Sequence, residues 1–133
     1  MPVLHQHAKI LVVEDDHLSQ TIITTMLSKI GYQSDVAGNG LEALRLLSEQ
    51  YFDLVLMDCQ MPVMDGYTAA RCITSQDAGR LSLNQKVVII ALTADSTDHA
   101  KSVCRSAGMH DFVTKPVRMQ QLQETIIRWL TKA

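Results

Sequence analysis

Apolar positions along the chain fall into short unbroken runs, separated by longer stretches in which apolar residues recur every three or four positions. The runs Ile10-Leu-Val-Val13, Leu54-Val-Leu-Met57 and Val87-Val-Ile-Ile-Ala-Leu92 are almost wholly apolar, the composition of strands covered on both faces. Gln33-Ser-Asp-Val-Ala37 is half polar and Asp111-Phe-Val-Thr114 is short, so both suit the edges of a sheet. Helical periodicity occupies residues 17–30, 40–50, 65–75, 96–107 and 118–131. Gly31 closes the first of these stretches, Asn39-Gly40 opens the second and Gly108 follows the fourth.

Five alternations of strand and helix predict an α/β fold, with a parallel sheet, right-handed crossovers and helices on both faces. Placing the three apolar runs centrally gives the order 2-1-3-4-5, a flavodoxin-like three-layer sandwich. In such sheets ligands bind beyond the carboxyl ends of the strands, where the order reverses between strands 1 and 3. With 133 residues, 47% of them hydrophobic, the chain has room for one such domain, expected over 9–133 after a flexible tail at 1–8. The polar segment 75–85 reads as a surface loop.

Charge removes several function classes. Twelve basic against 14 acidic residues, with no Lys/Arg run, leave no electrostatic footprint for nucleic acid or for direct contact with an anionic membrane. Cys59, Cys72 and Cys104 are odd in number and lack a CxxC pair, which argues against a disulfide framework or a zinc site and for a cytoplasmic setting. No apolar stretch approaches the roughly 20 residues of a membrane span. His5, His7, His17, His99 and His110 are not at ligand spacing and are expected mostly to face solvent. Trp129, with Leu122, Ile126 and Leu130, reads as a core stripe.

The chemistry gathers at the ends of the apolar runs. Glu14-Asp15-Asp16 follows the first, Asp58 ends the third, Thr93 follows the fourth and Lys115-Pro116 follows the fifth. Taken singly, each is ordinary turn or capping chemistry. Together they bring acids, a hydroxyl and a cation to one edge of the sheet. Clustered carboxylates raise one another's pKa unless a cation neutralises them, and hard oxygen donors match Mg²⁺ better than zinc or copper. Beside such an ion a carboxylate can attack phosphorus to form an aspartyl phosphate.

At these residues the sequence closely resembles the receiver domain of two-component response regulators, from Lys9 to about Lys132. The resemblance implies that Glu14 and Asp15 are the acidic pair, Asp58 the phosphoacceptor, Thr93 the switch hydroxyl and Lys115 the family's lysine. It implies Mg²⁺ as cofactor, with Gln60 contributing a backbone carbonyl, and a histidine kinase or histidine phosphotransfer protein as partner. Phe112 falls where receivers carry an aromatic switch residue, although a Phe in that strand is also simply core. Phosphorylation would then bias the face formed by residues 96–107, 111–114 and 118–131.

Met57-Asp-Cys-Gln-Met-Pro-Val-Met-Asp-Gly66 and Ala91-Leu-Thr-Ala94 look like receivers attached to hybrid sensor histidine kinases, apart from Asp16, where such receivers usually carry Asn. The chain stops soon after the last helical stretch, so it is expected to lack an output domain and to be either a piece of a hybrid kinase or a stand-alone regulator. On this reading the chain is no enzyme beyond its own phosphorylation and dephosphorylation. A haloacid-dehalogenase-type phosphatase needs a second Asp at position 60, where Gln60 stands. A flavodoxin-type carrier needs a hydroxyl-rich loop where three acids stand. Leu18, Ile22, Ile23, Met26, Leu27 and Ile30 exceed what one core stripe requires, so some of them should face outward.

Overall fold

The computed structural model describes residues 8–59, 87–95 and 97–131. Among them are five strands and four helices in alternation: β1 (Lys9–Val13), α1 (His17–Ile30), β2 (Gln33–Ala37), α2 (Gly40–Glu49), β3 (Leu54–Asp58), β4 (Val88–Thr93), α3 (Asp98–Ser106), β5 (Asp111–Thr114) and α4 (Met119–Leu130). The expected helix at 65–75, the loop at 75–85, Gln60, Cys72 and the tail before Ala8 lie outside the described residues. Ala8 itself is packed, its carbonyl accepting from Gln33 N at 3.2 Å.

All pairings are parallel and the order is β2-β1-β3-β4-β5, the flavodoxin-like arrangement. Alternation along each central strand divides its side chains between two cores. Leu11, Val13, Val55, Met57, Ile89 and Ala91 pack with Ala43 and Leu47 of α2 and Cys104 of α3 on one face. Ile10, Val12, Leu54, Leu56, Ile90 and Leu92 pack with Ile23 and Leu27 of α1 and Leu122 and Ile126 of α4 on the other. The sheet is thus buried on both sides, and β2 and β5 carry the polar edges.

Local capping sets the helix boundaries. Asp16, Asn39 and Thr97 accept from the backbone amides of Ser19, Glu42 and Ala100 at 2.9, 2.8 and 3.2 Å. The Thr97 cap delays α3 to Asp98, two residues after the periodicity first appears. At the other end of α1, Gly31 adopts φ 112°, and Gly31 N and Tyr32 N both donate to Leu27 O. A Cβ at Gly31 would meet no atom within 4 Å, so only the left-handed backbone opposes a side chain there. Gly31→Ala should therefore lower stability by about 1–2 kcal/mol through backbone strain alone. Denaturant unfolding measures it, and an unchanged midpoint would show that the helix end relaxes freely.

Candidate functional site

Because every strand runs the same way, the carboxyl ends of β1, β3, β4 and β5 open onto one edge. Glu14 follows β1, and its amide extends the ladder by donating to Ala37 O at 3.1 Å. Its carbonyl accepts from Gln20 Nε2 of α1 at 2.6 Å, and its side chain is almost wholly buried. Asp58 closes β3 and is buried as well, whereas Asp15 is exposed at the mouth. Glu14, Asp15 and Asp58 each present a carboxylate oxygen within 4.8 Å of the other two.

Lys115, which follows β5 and is joined to Pro116 by a cis peptide, reaches back across the sheet. Its Nζ lies 3.1 Å from Glu14 Oε2 and 3.4 Å from Asp58 Oδ1. One ammonium therefore serves two buried acids. Burial pushes the Glu14 carboxyl above its ordinary range, the hydrogen bond from Lys115 opposes this, and the neighbouring charge of Asp58 adds to it. Burial alone would lower Lys115, but the hydrogen bond to Glu14 and the charges of Asp58 and Glu14 outweigh it and hold the ammonium above its ordinary range. Among the described residues three carboxylates gather around one ammonium, and the ligand atoms they offer are hard carboxylate oxygens. That combination fits a divalent cation such as Mg²⁺.

Thr93 ends β4 beside this cluster, one position beyond Leu92, the partner of Asp58 across the ladder. Its hydroxyl accepts from Asp95 N at 3.0 Å and donates to Asp95 O at 3.2 Å, so it is engaged with the following turn. Sequence reasoning placed Thr93 at the edge but missed Asp95 as its partner, for which a Thr two residues before an Asp was the available signal. Asp16, the third acid of the run, serves as the cap of α1, and the bonds it accepts from the backbone amide and then the side chain of Ser19 hold its pKa low. Phe112 of β5 is partly buried against the core, with Lys101 Nζ 4.9 Å from its ring centroid. Gln60 lies outside the described residues. His17 and His99 face solvent as expected, while His110, though partly exposed, is bonded through its ring.

The family described as "Response regulator receiver domain" matches residues 10–127. The chain belongs to this family, the receiver domains of two-component phosphorelay signalling. It is 40% identical over 126 residues to Hybrid signal transduction histidine kinase B of Dictyostelium discoideum, covering 90% of this chain and 6% of that protein. Histidine kinase 5 of Arabidopsis thaliana is 34% identical over 143 residues, covering 92% of this chain and 16% of that protein. The chain thus spans only a small part of the hybrid kinases it matches.

Among solved structures, the receiver domain of sensor histidine kinase PA1611 from Pseudomonas aeruginosa superposes with a TM-score of 0.83 at 40% identity, covering 95% of this chain and 99% of that one. That receiver holds a magnesium ion in its active-site cleft. The receiver domain of Ssk1 from Saccharomyces cerevisiae, solved with the histidine phosphotransfer protein Ypd1, matches with a TM-score of 0.84 at 32% identity, covering 92% and 88% of the two chains.

Proposed function

We propose that this chain accepts a phosphoryl group on Asp58 from a phosphohistidine of a histidine kinase or histidine phosphotransfer protein. The observation that carries this reading is the meeting of Asp58 with Glu14, Asp15 and Lys115 at one sheet edge. A carboxylate oxygen of Asp58 attacks phosphorus, a P–O bond forms, and the P–N bond breaks with its electrons returning to the donor imidazole. Glu14, Asp15 and Asp58, with the main chain of Gln60, are the residues that would hold Mg²⁺, which when bound neutralises charge on the transferring oxygens. Lys115 already contacts Asp58 and can follow that charge onto the phosphoryl group. Thr93 must leave Asp95 O to donate to a phosphoryl oxygen, and this exchange, with Phe112, is the switch that would alter the α3, β5 and α4 face.

The hybrid relatives favour a parent that is a hybrid sensor histidine kinase, whose kinase activity would reside elsewhere in the polypeptide. A stand-alone response regulator is the second reading. Either would act in the cytoplasm, with residues 9–133 as the receiver unit, Ala8 packed against it and the residues before Ala8 as a tail. No helix among the described residues is long and apolar enough to cross a membrane. Incubation with acetyl phosphate and Mg²⁺ tests the reading. A receiver gains one phosphoryl group per chain, whereas continuous release of phosphate at phosphatase rates, or no labelling at all, would overturn it.

Partner contact has its own test. Ile23 and Leu27 of α1 are buried, but Leu18 and Ile22 are 69% and 45% exposed beside the acidic edge. We place the phosphohistidine-bearing domain against these two residues. Alanine at both should slow transfer from the cognate histidine protein about tenfold or more, the loss of a small apolar anchor pair, while sparing labelling by acetyl phosphate. Equal losses with both donors would remove the docking role.

A further inference from the structure

At the far end of β5 from the phosphorylation edge, His110 makes contacts that the receiver chemistry does not use. Its backbone amide donates to Ile89 O at 2.7 Å, and its Nδ1 accepts from Ile89 N at 3.1 Å. The regular β4–β5 ladder begins only at the next pair, Ile90 with Asp111. The imidazole therefore supplies the acceptor for a main-chain N–H that the strand has not yet reached. Accepting at Nδ1 requires a neutral ring, with its proton on Nε2.

The ring is also tied to α4. It meets Trp129 edge to face, with centroids 5.4 Å apart and planes at 69°. Trp129 Nε1 in turn donates to Asp111 Oδ2 at 2.7 Å, and Arg128 pairs with the same oxygen at 3.0 Å. Asp111 Oδ1 accepts from Phe112 N at 2.8 Å. Both carboxylate oxygens of Asp111 are thus engaged.

We propose that His110 is a pH-sensitive latch, closed when neutral, that fastens the start of β5 to β4 and, through Trp129 and Asp111, to the end of α4. Protonation places a hydrogen on Nδ1, which then confronts the Ile89 N–H instead of accepting from it. The surroundings give the imidazolium little in return. From α3, Lys101 and Arg105 line the same small pocket as His110, and α4 adds Arg128. Among the described residues Asp111 of β5 is the acid facing the ring, and it is already paired, while residues 88–93 of β4 carry no charge. Burial acts in the same direction and lowers the affinity of the ring for a proton.

A histidine whose folded pKa is depressed contributes stability that is present above its ordinary value of 6.5 and lost as pH falls through the folded value. The latch is therefore closed near neutrality and opens in mild acid. Because β5 and α4 belong to the face assigned to signal output, opening loosens that face independently of Asp58.

Nuclear magnetic resonance on the intact chain tests this by following the His110 ring, the Ile89 amide and the Trp129 indole N–H from about pH 7.5 to about pH 5. The three should titrate with one midpoint below 6.5. Protection of the Ile89 amide, corrected for intrinsic exchange, should fall about tenfold across that step, the size of one lost hydrogen bond. His110→Asn keeps an acceptor near the Nδ1 position without a proton to gain, so the Ile89 and Trp129 signals should become flat. A ring titrating at or above 6.5, or an Ile89 amide that ignores the ring, would overturn the latch, and the unsubstituted protein decides this even where the variant fails to fold.

Discussion

Asp58→Asn should abolish phosphoryl acceptance, lowering labelling by acetyl phosphate with Mg²⁺ by about a thousandfold or more. The amide has nearly the shape of the carboxylate but is not a nucleophile at neutral pH, so the change removes the reaction and keeps the packing. Asp58 is only 6% exposed and shares Lys115 with Glu14, which makes it one of two buried acids around one ammonium among the described residues. Removing that charge relieves repulsion with Glu14 while giving up the 3.4 Å contact to Lys115. These effects oppose each other, so the melting temperature in chelator should stay within about 5 °C of the parent. A folded variant that still incorporates Mg²⁺-dependent label would place the acceptor elsewhere.

Lys115→Ala should damage both the fold and the chemistry. The ammonium is the partner recorded for Glu14 Oε2, and the Glu14 side chain is nearly inaccessible to water. Truncation takes from that carboxylate and from Asp58 the ammonium that lies between them. Leaving a buried charge unpaired costs about 3–5 kcal/mol, and the partial exposure of Lys115 brings the expected loss to about 2–3 kcal/mol in the absence of metal. Saturating Mg²⁺ should return part of this, since the same carboxylates are the proposed ligands. Phosphoryl acceptance should stay depressed by about a hundredfold even in saturating Mg²⁺, because Lys115 is the cation that the described residues set beside Asp58 and the transferring oxygens. Unfolding curves with and without Mg²⁺ separate the two effects. Equal destabilisation in both conditions would argue against metal binding at these acids.

Much of this architecture is legible in the residues because each strand carries its own location. The wholly apolar runs at 10–13 and 54–57 are buried on both faces, and the polar Gln33–Ala37 is an edge, so composition orders the sheet. Parallel direction then brings Glu14, Asp58, Thr93 and Lys115 to one end without any reference to side-chain detail. What the sequence does not carry is who bonds to whom. Lys115 lies 101 residues from Glu14 in the chain, and only the fold brings them together. Thr93 reads as part of the site, yet its hydroxyl is held by Asp95, a local turn contact that competes with the functional one. His110 looks like one more surface histidine because its significance rests on the Ile89 amide, which a side-chain pattern cannot display. In α1 the apolar count predicts an outward-facing surplus but not its members. Burial of Ile23 and Leu27 identifies Leu18 and Ile22.

The central claim is that Asp58 receives the phosphoryl group, and chemical trapping tests it most directly. After reaction with a phosphorylated histidine donor and Mg²⁺, borohydride reduction converts an aspartyl phosphate to homoserine, which peptide mass spectrometry locates by residue. Homoserine should appear at position 58 alone, and only when both donor and metal are present. Homoserine at Asp15 or Asp65, or none after demonstrated loss of phosphate from the donor, would contradict the account.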